Sequence, residues 1–187
     1  MSTKTPHISI FGLGYVGCVS GACLASLGCR VTGVDPNRTK VDLINAGRSP
    51  IVEKDLDELL KTGVSEGRFR ATDDWKSAVG ETDMALICVG TPSRPNGSID
   101  LDYVRRVCKQ IGLALRKRKT FFTVVVRSTV FPGSVESHLI PILERKSGKK
   151  AGVRVGVCMN PEFLREGTSV YDFHHPPKTV IGELTAK

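Results

Sequence analysis

The sequence predicts a doubly wound α/β fold, in which a mostly parallel sheet carries helices on both of its faces. Short apolar segments rich in β-branched residues alternate with longer segments of helical period along the 187 residues. The apolar segments are continuous, which is typical of strands that are covered on both faces. A glycine-rich turn, GLGYVG, joins the first apolar segment to the first helical one. Together these features indicate a Rossmann sheet within one domain of ordinary size.

The first half of the chain predicts three strands and four helices. Gly28 ends the first helix, because glycine readily takes the backbone conformation found after a helix C-terminus. The acidic side chains of DLDELL suit the first turn of another helix, and the wholly apolar MALICV suits a buried strand. The predicted strands are residues 7–11, 30–34 and 84–89, and the predicted helices are residues 15–27, 38–45, 55–60 and 74–79.

The second half continues the alternation. Val104, Val107, Ile111 and Leu115 recur at helical spacing, which predicts an amphipathic helix over residues 101–116. The segments FFTVVV and VRVGVC predict buried strands at 121–126 and 153–158, and a short strand is expected at 179–181. Residues 134–146 have a helical pattern, but Pro141 must kink that helix or reset its start, because proline cannot occupy a helix interior without loss.

The charge of the chain does not indicate a nucleic-acid partner. The net charge is +8 and the isoelectric point is about 9.3, but the basic residues form short clusters, such as residues 116–119 and 149–150. These clusters fall at predicted helix ends, where cations complement the helix dipole and stay solvated. Aromatic residues are few and do not interleave with the charges, as base stacking would require. A basic domain also suits a polyanionic ligand such as a dinucleotide.

Neither membrane association nor a metal site is expected. No apolar run approaches the roughly 20 residues that a membrane-spanning helix needs. The N-terminal MSTKTPH lacks the pattern of a signal peptide, so we expect a cytoplasmic protein. The six cysteines form no C-x-x-C pair and have no zinc-site spacing. We therefore expect reduced, buried thiols.

The glycine-rich turn predicts a phosphate-binding site. Gly12 permits the tight turn, Gly14 lets the backbone approach a pyrophosphate, and Gly17 lets the helix pack closely on the sheet. Tyr15 and Val16 open the helix, whose free N–H groups and dipole would hold the pyrophosphate. The alternative is a turn tightened by glycine for structural reasons alone.

Asp35 points to NAD as the dinucleotide. It follows Gly17 by 18 residues and lies at the carboxyl end of the second predicted strand. A carboxylate at that place accepts hydrogen bonds from ribose hydroxyls and repels a 2′-phosphate, so NAD is favoured over NADP. Arg38 leaves the alternative open, because an arginine there could meet a 2′-phosphate.

Three further loops follow predicted strands, at the edge where open α/β sheets bind ligands. One contains Gly90 and Thr91, whose hydroxyl could reach a cofactor phosphate or ribose. Another contains Ser128 and Thr129, which could bind a ligand or a water, or cap the next helix. The third, residues 160–168, contains two carboxylates, an arginine and an amide, and its alternative interpretation is a solvated loop with an internal ion pair.

The order of motifs resembles the UDP-glucose/GDP-mannose dehydrogenase family. FGLGYVG, GVDPNRTKVDLINAGRSPIVE, CVGTPS, VVVRSTVFPG and NPEFLREGT occur in that order, and the resemblance covers residues 7–184. Within the family, the sequence is most similar to members that act on GDP-mannose. This similarity lies in the segments SPIVE, RSTVFPG, SGKKAGV and PPKTVIGEL. UDP-glucose or a UDP-N-acetyl-hexosamine is the alternative substrate.

The resemblance implies an oxidation of C6 of a nucleotide-linked hexose to a carboxylate, in two hydride transfers to NAD, within a homo-oligomeric enzyme. A cysteine thiol in the family holds the intermediate covalently. By this resemblance NAD contacts Tyr15, Val16, Asp35, Lys40, Thr91 and Thr129. Glu166 faces the sugar and assists proton transfer or the hydrolytic water, with Thr129 nearby, and Leu164 and Arg165 line the substrate through backbone groups.

One departure from the family pattern limits what the chain is expected to do. The Gly-Gly-x-Cys-x-Pro-Lys-Asp segment that carries the family's nucleophile does not occur in this sequence, nor do its lysine and asparagine partners. The central helix and the second domain, which binds the nucleotide of the sugar, are likewise not found. We expect residues 1–187 to be the N-terminal domain, binding NAD without turnover. A non-catalytic module that senses NAD is the rival interpretation.

Overall fold

The computed structural model describes residues 5–183 as one seven-stranded sheet with helices on both faces. The strands are β1 (His7–Phe11), β2 (Arg30–Val34), β3 (Phe69–Thr72), β4 (Met84–Ile87), β5 (Phe122–Val126), β6 (Val155–Met159) and β7 (Gly182–Glu183). The helices are α1 (Tyr15–Ser26), α2 (Arg38–Asn45), α3 (Leu56–Ser65), α4 (Trp75–Glu81), α5 (Asp102–Leu115), α6 (Ile140–Ser147) and α7 (Ser169–His174). A π-helical segment, Val135–Leu139, leads into α6.

The strand order is β3-β2-β1-β4-β5-β6-β7, and it reverses direction at β1. Strands β1 to β6 pair in parallel, and only β7 is antiparallel to its neighbour among the described strands. In the central register, Ile8 of β1 lies opposite Val31 of β2 and Met84 of β4. This arrangement confirms the predicted doubly wound, mostly parallel sheet, and it opens a crevice between β1 and β4 at the carboxyl ends of the strands.

The core consists of two apolar clusters, one on each face of the sheet. Ile10 belongs to the cluster beneath α1 and α3, where Leu60 is fully buried. Its neighbour Phe11 belongs to the cluster beneath α5, where Ile111 is fully buried. Successive residues of a strand point to opposite faces, so a continuous apolar strand supplies both clusters. This is the physical reason that the strands lack alternation.

Two elements were missed by the sequence analysis. Strand β3 is short and reads Phe69-Arg70-Ala71-Thr72, with Phe69 buried and Arg70 exposed, as suits a strand at the edge of the sheet. Because Arg70 interrupts the apolar pattern, β3 is not recognisable in the sequence as a continuous apolar segment. Helix α7 has only six residues and likewise carried no clear period.

Several predicted boundaries need correction. Helix α3 continues to Ser65 instead of ending at residue 60. The strand expected at 179–181 forms instead at Gly182–Glu183, and the strand expected from residue 153 begins at Val155. Pro141 does reset the start of its helix, because the π-helical segment Val135–Leu139 changes to α6 at Ile140, with the proline in the first turn of α6. The prediction that the N-terminus lacks a signal peptide concerns residues that lie partly outside the described part of the chain. The expected domain limits, residues 1 and 187, also lie outside it.

Within residues 5–183, no helix combines the length and the apolar character needed to span a bilayer. The described residues also hold no cluster of three or more histidine, cysteine or acidic side chains arranged to bind a metal. All six thiols are free. The expectation that they are buried holds for Cys18, Cys23, Cys88 and Cys108, but Cys29 and Cys158 are half-buried.

Candidate functional site

A cavity of about 300 Å³ lies at the carboxyl ends of β1, β4 and β5. This is the place where the strand order reverses, and where doubly wound sheets bind their ligands. The glycine-rich turn and the three further loops predicted from the sequence all contribute residues here. The cavity is lined by Gly14, Tyr15, Val16, Cys88, Val89, Gly90, Thr91, Arg127, Ser128, Thr129 and Glu162.

Two glycines of the first turn are required by close packing. Gly12 has φ +94°, and a Cβ built there would lie 2.9 Å from the carbonyl oxygen of Cys88. A Cβ on Gly17 would overlap the carbonyl oxygen of Gly12. No larger residue fits either position unless the backbone shifts, so α1 lies directly against the start of the turn.

Gly14 has a different reason to be glycine. A Cβ there would meet no atom within 4 Å, and it would project into the open space of the cavity. Helix α1 begins immediately after Gly14, and no side chain caps its first turn. The first-turn N–H groups of a helix have no partner within the helix, so they are available to an anion in this space. We call this open space at Gly14, with the first-turn N–H groups of α1, the cradle. The cradle fits the diphosphate of a dinucleotide.

Asp35 is held rigidly beside that cradle. One oxygen of its buried carboxylate accepts a hydrogen bond from the Leu13 N–H at 2.8 Å, and the other accepts from the Asn37 N–H at 2.9 Å. Lys40 Nζ lies 3.7 Å from the first oxygen. A carboxylate has about four acceptor positions. Asp35 thus keeps lone pairs for ribose hydroxyls although both of its oxygens are already hydrogen bonded.

The Arg38 side chain does not pair with Asp35 but with another carboxylate. Its guanidinium pairs with Asp73, just after β3, at 3.0 Å, and both side chains are largely exposed. The pairing supplies the arginine with a carboxylate partner, which a 2′-phosphate would have to displace. The arrangement therefore supports the assignment of NAD over NADP.

The loops after β4 and β5 are tied to each other. The Thr91 hydroxyl donates to the carbonyl oxygen of Thr129 at 2.8 Å, and the Ser128 hydroxyl donates to the carbonyl oxygen of Val89 at 2.6 Å. The suggestion that Ser128 or Thr129 caps the next helix is wrong, because Ser134 is the residue that precedes the π-helical segment. These hydroxyls instead fix the cavity wall.

The loop of residues 160–168 approaches the cradle from the other side. Tyr15 Oη lies 3.3 Å from the carbonyl oxygen of Arg165 and accepts a hydrogen bond from the Gly167 N–H at 3.0 Å. These two residues flank Glu166, whose side chain is exposed and takes part in no hydrogen bond or ion pair with residues 5–183. The main chain at Glu166 therefore lies next to the first turn of α1.

The internal ion pair considered for this loop does not form. Arg165 pairs instead with Asp172 of α7, through Nη2 at 2.7 Å and Nε at 3.1 Å. The Asp172 carboxylate also accepts from the Arg165 N–H at 2.9 Å. These hydrogen bonds from Arg165 lower the pKa of Asp172 to about 2. The loop is thus fastened to the helix that follows it.

Two glutamates of this region were given no role by the sequence analysis. Glu162 lines the cavity, and its carboxylate accepts a hydrogen bond from the Leu164 N–H at 2.6 Å. Leu164 lies with Arg127 and Glu162 in the wall of an adjoining space of about 190 Å³. Glu53 is buried beneath the loop and bonded to it. The motif that contains Glu53, SPIVE, was visible in the sequence, but its distant partners were not.

None of the thiols is activated. Burial raises the pKa of Cys18, Cys23, Cys88 and Cys108 to about 12, and burial also raises that of the half-buried Cys29 and Cys158. A cysteine reacts as the thiolate, so a raised pKa makes it a poor nucleophile at neutral pH. Cys88, although it lines the cavity, is therefore inert.

Comparison with known proteins agrees with this geometry. A family model described as "UDP-glucose/GDP-mannose dehydrogenase family, NAD binding domain" matches residues 6–187. A GDP-mannose 6-dehydrogenase from Pseudomonas syringae pv. syringae is 58% identical over 178 residues, covering 95% of this chain and 41% of its own. A UDP-glucose 6-dehydrogenase from Haloferax volcanii is 40% identical over 179 residues, covering 96% of this chain and 41% of its own.

Solved structures give the same result. A crystal structure of a ternary complex of GDP-mannose dehydrogenase from Pseudomonas aeruginosa superposes with a TM-score of 0.94 at 56% identity, covering 95% of this chain and 41% of that one. A UDP-glucose dehydrogenase from Pyrobaculum islandicum gives a TM-score of 0.91 at 40% identity, covering 97% and 41%. The chain therefore spans about 41% of the length of these relatives.

Proposed function

The chain belongs to the UDP-glucose/GDP-mannose dehydrogenase family as an NAD-binding domain, and on that premise we propose that it serves the oxidation of C6 of GDP-mannose to a carboxylate. The observation that carries the proposal is the open cradle above Gly14, where the Leu13 N–H donates to Asp35 and the Tyr15 hydroxyl accepts from Gly167 of the loop that contains Glu166. The identity of 58% to a GDP-mannose enzyme, against 40% to a UDP-glucose enzyme, favours the mannose nucleotide. UDP-glucose is the second candidate substrate.

The first helix and the second strand would hold NAD. The N–H groups at the start of α1 would bind its diphosphate, and Asp35, with Lys40 beside it, would accept from the adenosine ribose. The loops after β4 and β5 approach the rest of the cofactor, which supplies the hydride acceptor. The residues assigned to the cofactor are Gly12, Gly14, Tyr15, Val16, Gly17, Asp35, Lys40, Gly90, Thr91 and Thr129.

Glu166 and Thr129 would serve the chemistry of the sugar. Glu166 has no partner within residues 5–183 to neutralise it, so its carboxylate is available to accept a proton or to orient water. The Arg165 side chain is committed to Asp172, which leaves the backbone groups of Leu164 and Arg165 as the parts that line the substrate. The pairing of the Arg165 side chain with Asp172 supports a substrate contact through the main chain of the loop.

The covalent step would depend on a cysteine other than these six. Every thiol of the sequence has a raised pKa, and none offers a thiolate to an aldehyde. We assign that nucleophile, the central helix and the second domain to the further length that the relatives possess. A homo-oligomeric enzyme and a cytoplasmic location belong to the same proposal.

Two measurements on the 187-residue chain test the proposal. Calorimetric titration should show NAD binding at one site and weaker binding of NADP, and no heat with NAD would contradict the cofactor assignments. Incubation with NAD and GDP-mannose, or with NAD and UDP-glucose, should give no absorbance of NADH. Formation of NADH by these residues alone would contradict the expectation that the chain binds NAD without turnover. The two sugar nucleotides should then be compared in the enzyme that contains this chain.

A further inference from the structure

We propose that Glu53 is a positioning residue, whose buried carboxylate clamps the loop carrying Glu166 against the phosphate-binding turn. The functional meaning of this clamp rests on the role proposed for Glu166, but the clamp itself is a property of the fold. Glu53 lies in the segment between α2 and α3, far along the chain from the loop that it contacts. It therefore joins two parts of the site that no local element connects.

Three donors converge on the Glu53 carboxylate. Tyr15 Oη donates to Oε2, and the Gly167 N–H donates to the same oxygen at 2.8 Å. The Ser169 N–H donates to Oε1 at 3.1 Å. Two of these donors lie 114 and 116 residues away in the sequence. The first turn of α1, the Glu53 segment and the start of α7 are thus held by one side chain.

The three donors around position 53 require a carboxylate and not merely a polar side chain. Glu53 is only 9% exposed, and it forms no ion pair with the described residues. A buried carboxylate without a cation is tolerated only if hydrogen-bond donors replace its hydration. Burial by itself would raise the pKa of Glu53, but the bonds from Tyr15, Gly167 and Ser169 outweigh it and lower the pKa. A glutamine would turn an NH₂ group toward one of these donors.

The clamp fixes the place of Glu166. Gly167 on one side of it contacts both Glu53 and Tyr15, and Arg165 on the other side lies against Tyr15 Oη. Arg165 is independently fastened to Asp172. Loss of the clamp should therefore release the loop from α1 without detaching it from α7, so a variant at Glu53 is expected to remain folded.

Hydrogen exchange of individual amides in the 187-residue chain tests the clamp through Glu53→Gln. Protection of Gly167 and Ser169 should fall by about 10-fold to 100-fold, because each amide loses a hydrogen bond to a charged group. Protection in β1, for example at Ile10, should not change. The matched control is Glu81→Gln, since Glu81 is also hydrogen bonded with a lowered pKa but contacts Arg70 and Ser77, remote from the loop. Unchanged protection at Gly167 and Ser169, or an equal loss in β1, would overturn the proposal.

A second variant keeps the test decisive if Glu53→Gln does not fold. Tyr15→Phe by itself removes one donor and should also release Gly167. Where both single variants fold, the double variant should lose no more protection than the more severe single one, because both act on one network. Additive losses in the double variant, or unchanged protection of Gly167 in Tyr15→Phe, would contradict the clamp. Titration of the same wild-type sample with NAD tests the proposed function separately, since the clamp can exist in a chain that binds no NAD.

Discussion

The backbone N–H of Leu13 donates to the side chain of Asp35 at 2.8 Å, so the acid at the end of β2 is fastened to the turn that follows β1. Leu13 stands between Gly12 and Gly14, and its amide therefore couples the cradle that we propose for the diphosphate to the acceptor that we propose for the ribose. The distance between the two subsites is fixed by the fold before any ligand binds, which lowers the entropic cost of binding.

Asp35→Asn should weaken NAD binding and improve that of NADP. The amide side chain loses charge-assisted acceptors for the ribose, which is worth about 1.5–3 kcal/mol, or roughly 10-fold to 150-fold in affinity. Removal of the negative charge also relieves the repulsion of a 2′-phosphate. Calorimetric titration with both dinucleotides measures the change. Asp42→Asn on the exposed face of α2 is the control, and an equal loss there would show that general charge is responsible.

Substitutions at Gly14 and Gly17 should separate binding from folding. Gly14→Val leaves the melting temperature nearly unchanged, because a Cβ there meets nothing within 4 Å, but the side chain occupies the cradle and abolishes NAD binding. Gly17→Ala lowers the melting temperature, since its Cβ would overlap the Gly12 carbonyl oxygen. Gly80→Ala, at an open position within α4, serves as the control and should stabilise by about 0.5–1 kcal/mol. Intact NAD binding by Gly14→Val would place the diphosphate elsewhere.

The attachment of the loop to α7 should be lost in acid. The pKa of Asp172 is lowered to about 2 by Arg165, whereas an unpaired aspartate has a value of 3.8. A lowered acid pKa stabilises above the ordinary value, and this stabilisation is lost as the pH falls from about 4 toward 2. Amide exchange at Arg165, followed over this range, should show the loss. Asp172→Asn should show fast exchange at every pH, and a wild type that keeps its protection at pH 2 would contradict the assignment.

Phe69→Ala should destabilise the domain by about 3–5 kcal/mol, the usual cost of removing a buried phenyl ring. Phe69 is 1% exposed, and a Cβ on Gly21 or Gly33 would already crowd its ring, so β3 is packed tightly beneath α1. Denaturant unfolding measures the change. Phe121→Ala, where the ring is 52% exposed, should cost much less. Equal costs at the two positions would mean that β3 is not part of the folded core.

The sequence was sufficient for the parts of the site that local rules control. The turn between β1 and α1, the acid Asp35 and the loop with Thr91 each follow from a strand, a turn residue and a helix start within a short stretch. Strand β3 was missed because Arg70 interrupts its apolar pattern, and edge strands tolerate such residues. Glu53 was missed because its partners are more than 100 residues away, and contacts at that distance depend on the finished fold. The roles assigned to Glu166, Leu164 and Arg165 stay predictions.

The burial of Cys88 also protects the cavity from chemical damage. Peroxide oxidises thiolates, and a pKa of about 12 leaves roughly one thiol in 10⁵ ionised at pH 7. Cys88 lies directly after strand β4, in the wall of the cavity that we assign to the cofactor. The thiol is therefore in a form that oxidants scarcely attack, and the domain should keep its capacity for NAD in aerated buffer without added reductant.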